Sequence, residues 1–164
     1  MPVDILKILA AQKRVGIVDG FDIPKGATIQ KCGNYLRLSN MQGHPIASIK
    51  GFVPYHRFVL YEYLGRPHCS PCYHCGFNLL WSTSLADSSH HNVNVDHLDG
   101  NTMNNHPSNL KPSCFWCNSN RSWAEKYPEF WSNWRRWLRD VPPAFRPDPR
   151  KLAADFGITE FEAE

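Results

Sequence analysis

The chain has 164 residues, enough for one core with appendages and too few for two full domains. Its 42% hydrophobic and 20% charged content is ordinary for a folded soluble protein, and no run approaches the roughly 20 apolar residues of a membrane span. Net charge is only +3, but of 18 Lys+Arg and 15 Asp+Glu one base and four acids fall in residues 151–164. Residues 1–150 therefore keep 17 bases against 11 acids, a balance that suits a phosphate-binding surface followed by an acidic tail.

The opening "MPVDILKILAAQKR" lacks the uninterrupted apolar centre of a secretory signal, which predicts a reducing, cytoplasmic setting. Ile5, Leu6, Leu9 and Ala10 recur at helical spacing, so residues 4–14 predict a helix capped by Asp4. Gly16, Gly20, Pro24 and Gly26 break that pattern. "NYLRLSN" and "HPIASIK" alternate apolar with polar around "NMQG", predicting a β-hairpin near 34–50. "YHRFVLYEYLG" predicts a short amphipathic helix stopped by Gly65.

Residues 66–92 read as a polar loop held by cysteines. A short strand over 93–98, a loop over 99–108, a return strand over 109–113 and a helix over about 115–126 follow. Pro128 ends that helix or opens another, on which Tyr127, Trp131, Trp134 and Leu138 share one face opposite Arg136 and Arg139. Core packing is the plainer reading of this aromatic face, base stacking the sharper one. "VPPAFRPDPR" is a proline-rich exit. The whole predicts an α+β fold in three regions: 1–54 with a helix and β-hairpin, 55–127 as a metal-stabilised core, and 128–164 as a closing helix and tail.

Six cysteines in a chain without a secretory signal favour metal over disulfides, because two of the C-x2-C pairs sit in separate segments. Structural zinc takes four thiolates in a tetrahedron, typically from two such turns, and "CYHCG" and "CFWCN" supply Cys72, Cys75, Cys114 and Cys117. Cys69 makes an alternative pair with Cys72. Gly76 favours Cys72/Cys75, since a backbone turning tightly around a metal benefits from a residue that tolerates positive φ. His68 and His74 are substitute ligands or plain loop histidines, and Cys32 reads as a small buried apolar residue.

The stretch "VDHLDGNTMNNHPSNLK" carries the reactive groups. Hydrolysis of a phosphodiester needs a base for the attacking water and a cation to stabilise charge on the leaving oxygen. His97 offers an imidazole that works near neutral pH. Asp96 and Asn118 offer the one or two protein oxygens with which Mg2+ is often held. Asn118 directly follows the thiol of Cys117, and Asn109 opens the return strand, where its amide can bridge the loop and hold His97. Arg121, one turn further on, can reach a phosphate. Asp96 and His97 are neighbours, so a regular strand would turn them to opposite faces.

"VDHLDGNTMNNHPSNL" followed by "CFWCNSNR" resembles the HNH endonuclease family, specifically its phage-type branch, which includes intron-encoded homing nucleases. The signature positions would be His97, Asn109 and Asn118, the last an Asn variant that nucleases of this family also use. "YHRFVLYEYLG" is similar to the segment preceding the core in phage members, so the likeness covers roughly residues 56–121. It implies a zinc-bound ββα-metal core and a catalytic Mg2+ or Mn2+ on Asp96 and Asn118. His97 would be the general base, and cleavage would leave 5′-phosphate and 3′-hydroxyl ends, one strand per site. It further implies DNA as substrate, a phage-encoded protein in a bacterial cytoplasm acting as monomer or homodimer, and phage packaging or replication proteins as partners. His56, Arg57, Arg135, Arg136 and Arg139 are candidate DNA contacts. His90 and His91 read as solvated loop residues, with contact to metal or DNA the sharper alternative, and His106 reads as loop structure. The rival expectation is a treble-clef-like zinc module that binds DNA or protein without cutting it, with Asp96 and His97 as hydrogen-bonding scaffold.

Overall fold

The computed structural model describes residues 16–81, 92–120, 129, 141–142 and 145–146. The helix expected over 4–14, the face of Tyr127, Trp131, Trp134 and Leu138, and the acidic tail lie outside the described residues. Among the described residues the architecture is mixed α+β, with three small antiparallel sheets and few helices. No helix among the described residues is long and apolar enough to cross a membrane.

Strands β1 (Thr28–Cys32) and β2 (Tyr35–Ser39) form a hairpin in which Cys32 pairs with Tyr35. The two-residue turn is Gly33–Asn34, with Gly33 at φ +60°, the first-position geometry of a type II′ turn that matches strand twist. This hairpin lies upstream of the one expected near 34–50. "HPIASIK" does not return as a strand. Its backbone groups close local turns instead, Ala47 N–H to His44 C=O at 3.0 Å and Gly51 N–H to Ser48 C=O at 2.8 Å. Pro45 has no N–H to give a ladder, and Ile49 is 98% exposed, so the alternation there does not mark a buried face. Strand β3 (Val53–Pro54) pairs with β2 in its place.

Helix α1 (Tyr55–Tyr63) follows at once, as the sequence predicts. Tyr55, Phe58, Val59 and Leu60 are buried, and Leu64 and Gly65 donate back to Leu60 and Glu62, ending the helix. The helix packs against β2 and β3 and also against two later strands, Asn94–His97 and Leu110–Ser113. The expected loop over 66–92 contains a further hairpin, β4 (Cys69–Pro71) with β5 (Asn78–Leu80), whose connection carries the first cysteine pair.

Strand β6 (Asn94–His97) and β7 (Leu110–Ser113) then form the third antiparallel pair, with Asp96 opposite Lys111 and His97 opposite Leu110. A single 3-10 turn (Pro107–Asn109) feeds β7, and α2 (Phe115–Ser119) starts two residues after it. Leu38, Val53, Phe58, Leu79, Val95 and Leu110 belong to one buried cluster with the four cysteines, so the residues on both sides of position 54 share a core.

Because Phe58 is only 2% exposed at the centre of that cluster, Phe58→Ala should cost about 3–5 kcal/mol. Ile49→Ala should stay within about 0.5 kcal/mol. Denaturant titration of both variants at equilibrium separates the two outcomes.

Candidate metal centre and active site

Cys72, Cys75, Cys114 and Cys117 are all buried, and their sulfurs lie within 4.8 Å of one another. A tetrahedral ion with metal–sulfur bonds of about 2.3 Å needs sulfurs about 3.8 Å apart, so this donor set could hold a structural zinc ion. It is the one such group of His, Cys, Asp or Glu side chains among the described residues. Cys69 is not part of it; it sits half-buried on β4. Cys32, expected to be buried, is also half-exposed, because it ends β1 at the hairpin turn.

Local backbone geometry explains how the sulfurs converge. Gly76 N–H returns to Cys72 C=O at 2.8 Å, a tight turn for which Gly76 takes φ +78°, a value costly for any residue with a Cβ. Cys114 N–H points at Cys72 Sγ and Cys117 N–H at Cys114 Sγ, both at 3.3 Å, so the turns donate to sulfur as they would to thiolates. Tyr73 N–H bonds Pro112 C=O at 2.8 Å and ties the first turn to β7. Hydrogen bonding from Cys114 and Cys117 holds the Cys75 thiol down at about 6 and pulls Cys72 lower still, while the same contacts push Cys117 up. Four buried thiolates cannot ionise together without a cation among them. Arg146 adds positive charge at the rim: it is buried over Trp116, with Nη1 3.9 Å from Cys114 Sγ.

The predicted reactive residues stand beside this knot. Strand β6 is paired regularly through Asp96 and His97, so the two side chains address different neighbours. The Asp96 carboxylate is 2% exposed and accepts from His74 Nε2 at 2.8 Å. His74 lies inside the first cysteine turn, where the sequence offered it only as a substitute ligand or loop residue. His97 donates from Nε2 to Asn105 Oδ1 at 3.0 Å. The Asn105 amide has its orientation set by Nδ2–H donation to Gly16 C=O at 2.9 Å, which turns Oδ1 toward the imidazole. With Asn105 Oδ1 as acceptor, Nε2 is the donor of this bond. Sequence reasoning missed Asn105, one of several asparagines in the loop, because its partner Gly16 is 89 positions away.

Asn109 does bridge the loop, but through Asp99 and Asn104 rather than through His97. Its Nδ2 donates to Asp99 Oδ1 and to Asn104 C=O, each at 2.9 Å, and its Oδ1 accepts from Asp99 N–H at 3.1 Å. Hydrogen bonds from Asn104, then from Asn101, hold the Asp99 carboxyl below its usual range. Asn118 is half-buried in the first turn of α2, with its N–H on Cys114 C=O at 3.0 Å, and α2 packs against β6. Arg121, Arg135, Arg136, Arg139, His90 and His91 lie outside the described residues.

His56 and Arg57 project from the first turn of α1. Arg57 donates to Val93 C=O and lays its guanidinium over Trp81 at 5.0 Å, and burial lowers it to about 10. The His56 ring meets His97 edge-on with centroids 5.0 Å apart. Burial first, then the adjacent His97 and Arg57, pushes His56 down to about 3, so it is neutral in the folded protein.

Two outcomes follow. Purified protein should carry about one zinc per chain, retained in Cys69→Ser and Cys32→Ser and lost in Cys114→Ser, as elemental analysis with thiol titration would record. For His56, the unfolded chain takes up a proton below pH 6.5 that the folded chain refuses down to about pH 3. Its stabilising contribution is therefore complete above pH 6.5 and declines as pH falls, by up to about 1.4 kcal/mol per pH unit. Denaturant melts between pH 7.5 and 5 should be flatter for His56→Gln than for the parent, and an unchanged slope would reject the assignment.

None of the family models, curated proteins or solved structures compared with the chain matches it, so its own geometry carries the functional reading.

Proposed function

We propose that this protein is a zinc-stabilised, divalent-metal-dependent DNA endonuclease of the HNH type, hydrolysing phosphodiester bonds one strand at a time. The observation that carries the reading is a pair of adjacent polar side chains, Asp96 at 2% and His97 at 7% exposure, buried at the end of β6. Burying an acid and an imidazole costs stability unless each is partnered, and here both are held by oriented side chains rather than by solvent. The order strand, loop, strand, helix around them, with Asn118 next to a cysteine of the knot, supports a ββα-metal core.

In this reading His97 Nδ1 accepts a proton from the attacking water, while Asn105 keeps Nε2 protonated and the ring in one tautomer. The phosphoryl group passes in line from its 3′ oxygen to that water. Asp96 and His97 can both serve one phosphate only where the strand ends, and β6 does end at His97, where Gly100 N–H closes a turn onto His97 C=O. Asp96 on β6 and Asn118 on α2 would hold hydrated Mg2+ or Mn2+, whose charge would stabilise the departing oxygen; two protein oxygens match the sparse ligation typical of Mg2+. DNA as the substrate, a phage origin and action in a bacterial cytoplasm follow from the sequence resemblance.

The contact between Asp96 and His74 also favours a second reading, a zinc module in which the acid is structural and nothing is cut. Relaxation of supercoiled plasmid decides between them. Cutting should require added Mg2+ or Mn2+, and His97→Ala should lower it by about 10²–10⁴-fold while keeping its zinc and fold. Equal cutting by variant and parent would overturn the role given to His97, and no cutting by the parent under any divalent metal would leave the zinc module.

A further inference from the structure

A cleft of about 580 Å³ opens between β2, the turns after it, the start of α1 and the lead into β6. The two-residue period of β2 sends Leu36 and Leu38 into the core, and so turns Tyr35 and Arg37 to the other face, where both line the cleft. Lys50, Phe52, His56 and Arg57 complete its functional lining. Among the described residues no carboxylate lines it, although acids and bases are nearly balanced in the chain as a whole.

The arrangement within the cleft is specific. The Arg37 guanidinium lies over the Phe52 ring at 4.0 Å, and among the described residues its Nη2 donates to the neutral Gln30 at 3.3 Å. Its Nε is buried without a hydrogen-bond partner, as is Nδ1 of His56. A guanidinium backed by an aromatic ring offers its outer face to another planar group and its edge to an anion. Tyr35, 37% exposed, meets the His56 ring with centroids 6.0 Å apart, and His56 in turn meets His97 at 5.0 Å. A ladder of three rings thus leads from the mouth of the cleft to the proposed base.

We infer that this cleft seats a nucleotide of single-stranded nucleic acid, its base stacked on the Arg37–Phe52 pair or Tyr35 and its phosphate drawn by Arg37 and Lys50. Single strands are held by this combination of stacking surface and positive charge without reading of base edges. An acidic peptide would use the charge but leave the stacking surface idle. That the seated nucleotide flanks the phosphate to be cut rests on the nuclease reading above; that it binds does not.

The test is fluorescence anisotropy of a labelled single-stranded DNA of about eight nucleotides with the zinc-loaded full chain and no added Mg2+. Arg37→Gln should weaken binding roughly ten-fold by loss of stacking and charge. Lys50→Ala, an exposed change that leaves the core intact, should make the dependence of log K on log salt shallower by about 0.7. Lys31→Ala, exposed on β1 and outside the cleft, should bind as the parent does. The proposal is overturned if both cleft variants bind like the parent, or if a poly-glutamate peptide competes as well as unlabelled oligonucleotide. Since binding is read without cleavage, a chain that shows these losses yet never cuts plasmid fails the nuclease reading and keeps the cleft.

Discussion

Four sulfurs contributed by two turns 42 residues apart converge within 4.8 Å, and the strands β4 to β7 with α2 carry the two turns that let them do so. A metal ion of fixed bond length tolerates little error, so whatever is attached to the turns inherits their precision. The first turn carries His74 and, through Tyr73, grips β7. The second begins α2 and carries Asn118. Arg146 sits against Cys114 Sγ from a segment beyond α2, where its charge would offset that of four thiolates around a divalent cation. Four thiol donors would fill every position of a tetrahedral ion and leave none for substrate, which is the donor set of a structural site.

The buried polar groups around the Asn-rich loop are the second organising feature, and they are tolerated because those at its ends have defined partners. Asp96 answers to His74, His97 to Asn105, Asn109 to Asp99 and Asn104. These bonds do more than offset desolvation. The Asn105 amide is turned by Gly16, and that choice presents Oδ1 to His97 Nε2 as an acceptor. A loop dense in asparagine is thus both a turn and a device for orienting the side chains at its ends. Helix α1 supplies the remaining wall, packing between the N-terminal sheet and the β6–β7 pair and pressing His56 against His97.

Comparison of expectation with architecture shows where local pattern suffices. Helix α1 was legible because apolar spacing and a stopping glycine agree over a single short stretch. The pair β6 and β7 was legible because turn chemistry separates two runs of fitting length. The N-terminal hairpin was placed too late. "HPIASIK" alternates like a strand, yet Pro45 and an exposed Ile49 leave it in turns, while Gly33–Asn34 held the true reversal a few residues upstream. Periodicity records which residues can share a face; it does not record whether a partner strand arrives to use that face. The short hairpin of β4 and β5 escaped notice for the same reason, its three-residue strands being too brief to show a period.

The sequence by itself determined Cys72, Cys114 and Cys117 of the knot and favoured Cys75 through Gly76, and it determined the helix before them, the strand–loop–strand order of the Asp96–His97 region and a loop-bridging Asn109, though not its partners. Each of these is written in spacing or turn chemistry within a few residues. Only the tertiary structure decided that Cys69 stands apart from the sulfurs, that Asp96 meets His74, that His97 is held by Asn105 and faced by His56, and that Arg37 and Lys50 share a cleft free of described carboxylates. Those contacts join segments that approach one another only because a common core forms around α1. The choice among many chemically similar asparagines, histidines and arginines is made by packing, for which a linear pattern holds no record.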